Sequence, residues 1–403
     1  MNNTFLEKKA DVIIIGGGPV GLITALKLTL SGISVIVIEM SDKPYSEPRA
    51  STFHPPTLDL LDELGISKTL IENGRKSRKW QFSFFNSNER AVFDLSILSK
   101  DTNHPYRLQC EQINLVKTAS NILLKENFES ISYNTKAIGI KEDEKKVLVN
   151  AKRGEDNIIF SGKWLIGADG ANSIVRKHLD IKFDGKTYPT SSISINSPFP
   201  FHNFVNNLYG VNYFWSEDWS FSMFRTKSFW RVGYSPQNYN SDGDALNKIN
   251  IQKQLSRIVP EKNSFDIQSA VIYKIHKRIV KSFRQGKIIL AGDSAHLNSP
   301  SGGFGMNGGI HDAFNLCDKL IKIFNGSNDS LLDLYSRQRK HAAISDIQET
   351  SDQNYKKHRE KDHKKRLEAL KELQKIVENK DEHLEYLRKT SLITSLKNAS
   401  KID

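Results

Sequence analysis

Three acidic side chains carry the chemistry this chain can do, each at the end of a short apolar run: Glu39, Asp169 beside Gly170, and Asp293 beside Gly292. An acid at the carboxyl end of a buried parallel strand faces the crevice in which open α/β sheets bind their ligands. The stretch DVIIIGGGPVG, residues 11–21, supplies the partner for Glu39. Gly16 permits a tight turn out of the strand, Gly18 lets backbone N–H groups approach a pyrophosphate, and Gly21 lets the next helix pack close on the strand. Pro19 and Val20 belong to the same turn, at a helix N-terminus suited to phosphate. Glu39 stands where an acid accepts hydrogen bonds from a ribose 2′-OH. A glycine turn can also serve only to pack a helix on a strand, but the strand before it, the helix after it and the acid at the right distance favour a dinucleotide site.

Asp169 lies in WLIGADGANSIVR, 164–176, where it either faces the ligand crevice or caps the helix that follows. Asp293 lies in GKIILAGDSAH, 286–296, and is followed by LNSPSGGFGMNGG, 297–309. Glycine density of this kind lets main chain lie flat against a ligand. The spacing predicts that this loop opens onto a helix over 310–324, whose N-terminal dipole suits a developing anion. His54, His296 and His276 are the candidate bases by residue type, and each has the ordinary alternative of a satisfied core histidine.

The elements that position these residues follow from periodicity. Runs 11–15 and 34–38 read as buried strands around a helix over 22–30 that Gly32 ends. A helix starts at Pro56 or Thr57, shows Leu58, Leu61 and Leu64 on one face, and stops at Gly65. Residues 81–85 read as a strand, 111–125 as a helix, 130–166 as a strand meander, and 173–179 as a short helix. Residues 186–235 are dense in aromatics, and period-two stretches such as 220–224 argue an antiparallel sheet whose aromatic face either walls an organic-substrate pocket or, as is commoner, simply fills a core. Arg225, Lys227 and Arg231 there either hold a substrate carboxylate or are surface charge. From Leu331 the chain reads as helical and highly charged. Leu367, Leu370, Leu373, Val377, Leu384 and Leu387 form an apolar stripe. The basic clusters Lys356–Arg359 and Lys364–Arg366 read as a solvated helical face.

The 403 residues suffice for two or three domains with substantial cores. A formal charge of +12 raises nucleic acid or an anionic surface as partners. No nucleic-acid motif accompanies it, so lysine-rich solvated surface is the favoured reading. The two cysteines, Cys110 and Cys317, have no CxxC spacing and give neither a disulfide framework nor a zinc site. No apolar run is long enough to span a bilayer. The N-terminal MNNTFLEKKA lacks the apolar core of a signal peptide, so the expected compartment is the cytoplasm.

Taken together and in order, the three motifs resemble the para-hydroxybenzoate-hydroxylase-type family of FAD-dependent aromatic monooxygenases. The resemblance runs from Asp11 to about residue 350 and rests on GGGPVG (16–21), PRASTFHPPTLDLL (48–61), the Asp169-Gly170 segment and LAGDSAH…PSGGFGMN (290–307). It implies an α/β chain: a Rossmann-like FAD-binding domain (1–77, 104–185 and 271–330), an inserted antiparallel β-sheet substrate domain (78–103 and 186–270), and a helical C-terminal region (331–403). It implies FAD held by the glycine turn and Glu39, with Arg49 and Gln112 also on the cofactor and Gln109 as a substitute for the latter. Asp169 would serve the cofactor region and Asp293 the ribityl chain. Gly303, Gly305, Met306 and Asn307 would meet the isoalloxazine ring with backbone, and Pro300 would border the active site. Ser301 stands where many relatives have threonine.

The chain reads as having one dinucleotide site, so NADH or NADPH has no Rossmann domain of its own and binds transiently. Hydroxylation in this family needs reduced flavin, O2 and a water-poor pocket that protects a C4a-hydroperoxyflavin. Its electrophilic oxygen requires an electron-rich ring, most simply a phenol. A small aromatic substrate and O2 are therefore the expected partners, with a homodimer left open. A flavin halogenase would need a WxWxIP stretch, which residues 215–219 are not, and a disulfide reductase would need a redox cysteine pair. A flavin reductase or oxidase of the same fold, or a non-catalytic FAD-binding protein, are the competing readings. Substrate-stimulated NAD(P)H oxidation with and without O2 separates them.

Overall fold

The computed structural model describes residues 6–44, 50–127, 129–236 and 241–403. Its centre is set by four runs without a polar face. Val12–Ile15, Val35–Ile38, Trp164–Gly167 and Ile288–Leu290 are buried along their whole length. Such strands are stable only inside a parallel sheet covered on both faces. They lie side by side in a six-stranded sheet in the order 288–290, 164–167, 12–15, 35–38, with Arg284–Gln285 at one edge and Ile131–Ser132 at the other. Ile15 is level with Gly167 and Ile38, and Gly167 with Leu290. The three motif turns therefore leave the sheet at one edge, side by side.

Helices Pro19–Leu30, Gln112–Glu126 and Phe304–Phe324 cover this sheet, and a four-stranded sheet (Leu6–Lys9, Lys136–Glu142, Val147–Arg153, Asp156–Gly162) closes the same core. A second body is built on an eight-stranded sheet that takes in Lys79–Phe84, Arg90–Asp94, Phe183–Ser197, Val211–Trp215, Ser220–Arg225, Trp230–Tyr234 and Ser269–Val280. It is antiparallel except where Val211–Trp215 runs parallel to Lys79–Phe84. The long strands Phe183–Ser197 and Ser269–Val280 pair over residues 183–196 and join the two bodies.

Alternation along this sheet separates two environments. Ile193, Ile195, Phe214, Phe221, Met223 and Val232 point to a core closed by the helix Lys248–Ser256. The opposite face carries Ser192, Ser194, Tyr213, Ser222, Phe224 and Arg231, which border a cavity. Half of the aromatics of 186–235 thus pack in the far core, and serines form much of the cavity wall.

Two further expectations are corrected. The last long helix of the glycine motif begins at Phe304, not Ile310, so Gly305, Met306 and Asn307 lie in its first turns. Gly302 (φ +109°) and Gly303 (φ +72°) make the turn into it, a left-handed geometry that favours glycine. Gly308 and Gly309 serve packing: a Cβ would come within 2.6 Å of Ile347 and 2.6 Å of Val20, respectively. The C-terminal helices are not a solvated bundle. Leu370, Leu373, Leu387 and Ile393 pack on Trp80, Phe82, Phe93 and Trp215 of the second sheet. Arg366 is buried, donating to the Glu360 and Ser216 carbonyls at 2.5 Å each, while Lys364 and Lys365 do remain exposed.

One buried carboxylate joins these parts. Asp312 accepts from Arg339 Nε at 2.6 Å, His296 Nε2 at 2.8 Å and the Gly292 N–H at 3.0 Å. Burial works to raise its pKa, but the Arg339 charge and His296 outweigh that and hold it at about 2. Asp312→Asn would leave the Arg339 charge uncompensated and is expected to cost about 3–5 kcal/mol in urea unfolding. A carboxyl with a depressed pKa stabilises above its ordinary range, so the gap between variant and wild type should close as pH falls from 3.8 toward about 2.

Candidate cofactor and substrate site

At the sheet edge, the first glycine turn and Glu39 are in direct contact. Glu39 Oε2 accepts from the Gly17 N–H at 2.6 Å and Oε1 from the Ser41 N–H at 2.8 Å. Gly16 (φ +109°) lies against the next motif, since a Cβ there would be 2.4 Å from the Ala168 carbonyl oxygen. Gly21 is equally tight, 1.9 Å from the Gly16 oxygen. Gly18 differs: a Cβ on it meets nothing within 4 Å. It is the N-cap of the helix Pro19–Leu30, whose first-turn amides have no side-chain cap and no acid among them. An open approach to uncapped helix amides, with an acid on the adjoining strand, is a cradle for a nucleotide pyrophosphate and ribose.

Asp169 does cap the next helix: Oδ2 accepts from the Ile174 N–H at 2.7 Å and the Val175 N–H at 3.2 Å. Its other oxygen, Oδ1, is buried beside the Gly16 turn with no protein partner. Burial raises its pKa. Arg176 ties this segment to the third motif by donating to the Ser294 carbonyl at 3.0 Å. Asp293 stands on the turn Gly292–Ser294 with its side chain exposed. Glycine turn, Glu39, Asp169 and Asp293 thus share one edge, and together they fit FAD. Gln112 opens its helix, its N–H on the Ala50 carbonyl at 3.0 Å. Gln109 is buried and accepts from Thr52 Oγ1 at 3.0 Å. Arg49 lies outside the described residues.

Further in, Asn307 staples two segments. Its Nδ2 donates to the Thr52 and Gly303 carbonyls at 2.9 and 2.6 Å, and its Oδ1 accepts from the His54 N–H at 2.9 Å. The first-turn amides after Gly303, including those of Gly305 and Met306, are ones a helix start leaves unpaired. His54 Nε2 donates to the Gly302 carbonyl at 2.8 Å, and its ring stacks on Phe304. Burial, helped by the Arg107 charge, pushes its pKa well down. His54 and His296 do not border the cavity among the described residues; each is committed to a buried partner, one to a loop carbonyl and the other to Asp312. As placed here they hold the loop and the long helix rather than face a substrate. His276 sits on the opposite, outer stretch of its strand with Thr187. Pro300 does border the cavity, together with Ser301 and Gly302.

That cavity lies between the serine face of the second sheet, the 300–302 loop and the helix Glu349–Arg359. Of the cationic candidates on the sheet, Arg231 lines it, held by Asn196 Oδ1 and Ser51 Oγ at 2.9 Å each. Arg225 lies on Trp230 and Lys227 on the Glu72 carbonyl, both outside it. The sequence reading missed His358 and Arg359, which the basic cluster carries into the cavity wall. His358 Nε2 donates to the Phe221 carbonyl at 3.1 Å, and burial beside Arg359 lowers its pKa to about 3. Their signal was slight: His358 interrupts a lysine-rich run directly after the partly apolar Tyr355 turn.

Residues 9–350 match the family model described as an FAD binding domain. The chain belongs to this family. It is an FAD-dependent aromatic monooxygenase of the para-hydroxybenzoate-hydroxylase type, with NAD(P)H as electron donor. It is 30% identical over 371 residues to para-nitrophenol 4-monooxygenase of Pseudomonas sp. (strain WBC-3), covering 90% of each chain. It is likewise 30% identical over 349 residues to 6-hydroxy-3-succinoylpyridine 3-monooxygenase of Pseudomonas putida, covering 84% of this chain and 86% of that one. A crystal structure of p-nitrophenol 4-monooxygenase from Pseudomonas putida DLL-E4 superposes with a TM-score of 0.90 at 26% identity, over 98% of this chain and 99% of that one. Among the described residues no helix is long and apolar enough to cross a membrane.

The glycine turn offers a clean test of the cofactor cradle. In Gly18→Val the new side chain meets open space, so folding should lose no more than about 1 kcal/mol. Flavin content, read from absorbance after purification, should nevertheless collapse. Gly21→Val, with a backbone oxygen at 1.9 Å from its Cβ, should fail to fold at all.

Proposed function

We propose that this enzyme hydroxylates a phenol or a similarly electron-rich small aromatic, which binds in the cavity beneath the 300–302 loop. The observation that carries this reading is continuity. Ser301 and Gly302 line the cavity, and Gly303 next to them caps the helix whose first turn adjoins the expected flavin ring position. The relatives acting on para-nitrophenol and pentachlorophenol, by name, support a phenolic substrate.

Bound FAD supplies two-electron acceptance from NAD(P)H and activation of O2. The chain's own contribution is binding, orientation and exclusion of water. Ser192, Ser194, Ser222 and Tyr213 offer hydroxyls that switch between donor and acceptor, and so hold a ring substituent without fixed polarity. Neutral His358 and the anchored Arg231 fix the polar wall. Gly16, Gly18, Pro19, Val20, Gly21, Glu39, Asp169 and Asp293 hold the nucleotide and ribityl parts, with Gln112 beside them; Arg49, outside the described residues, is assigned to the cofactor from the sequence alone. Gly303, Gly305, Met306 and Asn307 form the rim toward the ring. The FAD-binding segments, the sheet segments 78–103 and 186–270 and the helical C-terminus act as the working units. The reading extends to a cytoplasmic compartment, with a homodimer left open.

Turnover of a phenol panel under ¹⁸O2 tests this. One labelled oxygen should enter the product from O2. Label entering from water, or peroxide as the sole product across the panel, would overturn it. A side chain at Gly305 meets only Asn298 Oδ1, at 3.5 Å, so Gly305→Val should keep its fold and lose turnover.

A further inference from the structure

Away from the cofactor edge, a cluster of metal-ligating side chains stands where the helix Pro55–Asp62 meets the loop ahead of the strand Arg107–Gln109. Asp59 and Asp62 lie three apart, on one face of that helix. His104 of the loop packs between them and is 7% exposed. Its Nδ1 is hydrogen-bonded to Asp59 Oδ1 at 2.8 Å. Its Nε2 lies 3.3 Å from Asp62 Oδ2 and, among the described residues, makes no hydrogen bond. Asp59 also accepts from Thr102 Oγ1 at 2.6 Å and the Asn103 N–H at 3.1 Å, and Asp62 accepts from Ser67 Oγ. One ligand atom from each of Asp59, Asp62 and His104 falls within 4.8 Å of the other two. None of the three residues lines the cavity.

Charge and geometry both call for a metal cation here. The two carboxylates fall in the last turn of their helix, the end with a partial negative charge, and that turn holds no basic residue. Among the described residues neither is paired with a lysine or arginine. With Nδ1–H committed to Asp59, a neutral ring turns the Nε2 lone pair toward an acceptor oxygen of Asp62, a contact that needs a positive charge between the two. The contact lacks the alignment of a shared proton. An ion at the bond lengths usual for zinc holds tetrahedral ligand atoms roughly 3.3 Å apart, the separation found here. A carboxylate on the far ring nitrogen is also the arrangement that fixes the tautomer of a metal-binding imidazole.

We propose that His104 Nε2 and Asp62 bind a divalent ion of the zinc, nickel or copper kind, with Asp59 orienting the imidazole. A nitrogen ligand favours these ions over Mg2+ and Ca2+, which take oxygen. Asp62 is exposed, so water fills the remaining positions. The ion works as a clip outside the cavity. It fastens the end of the helix Pro55–Asp62 to the 102–104 loop, while the residue capping the start of that helix, His54, holds the Gly302 carbonyl.

The test uses tag-free, FAD-loaded enzyme stripped with a chelator and titrated calorimetrically with Zn2+ or Mg2+. Wild type should take up one equivalent of Zn2+ and bind Mg2+ about tenfold or more weakly. Asp62→Asn sits at the surface, so it should keep its fold, FAD content and turnover while the Zn2+ site is lost. His104→Gln should lose the site as well. Asp59→Asn should weaken it about tenfold or more, as removal of an orienting partner does. One equivalent of Cu2+ on wild type should give an electron paramagnetic resonance spectrum coupled to a single imidazole nitrogen, an assignment that stands even where His104→Gln does not fold. Wild type without a one-equivalent Zn2+ site overturns the proposal. So does uptake undiminished in any of the three variants, or a Cu2+ spectrum with no nitrogen ligand.

Discussion

The Asp312 carboxylate is the constraint on which the arrangement of the site depends. It sits fully buried in the long helix and reaches three different segments: the turn before Asp293, the short strand at His296 and the helix of Arg339. Taking a carboxylate out of water is tolerable only with a charge and several donors around it. Those donors come from parts of the chain that must therefore arrive together. The geometry of the Gly292–Ser294 turn, and with it the placement of Asp293, follows from the same contacts. His54 and Asn307 extend the logic toward the cavity, pinning the 302–303 turn to the Thr52–Phe53 strand.

Against this frame the parallel sheet does simple work. Its central strands end in register, so that three sequence-distant turns line one edge. The second sheet does the complementary work through its period of two. One side is dense with aromatic and aliphatic packing. The other is small and polar, and so leaves room where the first side leaves none.

Legibility in the sequence divided along physical lines. The glycine turn, Glu39 and the strand before Asp293 could be read because strand, turn and helix are contiguous and their chemistry is local. The helix start at Phe304 was placed late because a run of glycines looks like loop, whereas Gly308 and Gly309 are there for close helix packing. The basic clusters misled because lysine and arginine signal solvent by type. Tertiary contact decides otherwise for Arg366, His358 and Arg359, and nothing in the local pattern records the sheet that covers them. The catalytic expectation for His54 and His296 rested on residue type, and their buried partners turned them into supports.

The cavity wall draws on residues 354–359 and on Tyr386 and Thr390, near the end of the chain, whereas the glycine turn, Glu39, Asp169 and Asp293 all precede residue 300. During synthesis the nucleotide cradle is thus translated well before the chamber that confines the aromatic ring. A nascent chain emerges with the sheet wall already made, and lacks only the side that residues 354–359, Tyr386 and Thr390 close. The order of the gene places the helical side of the cavity last, and a chain cut short before residue 354 would leave that side open to solvent.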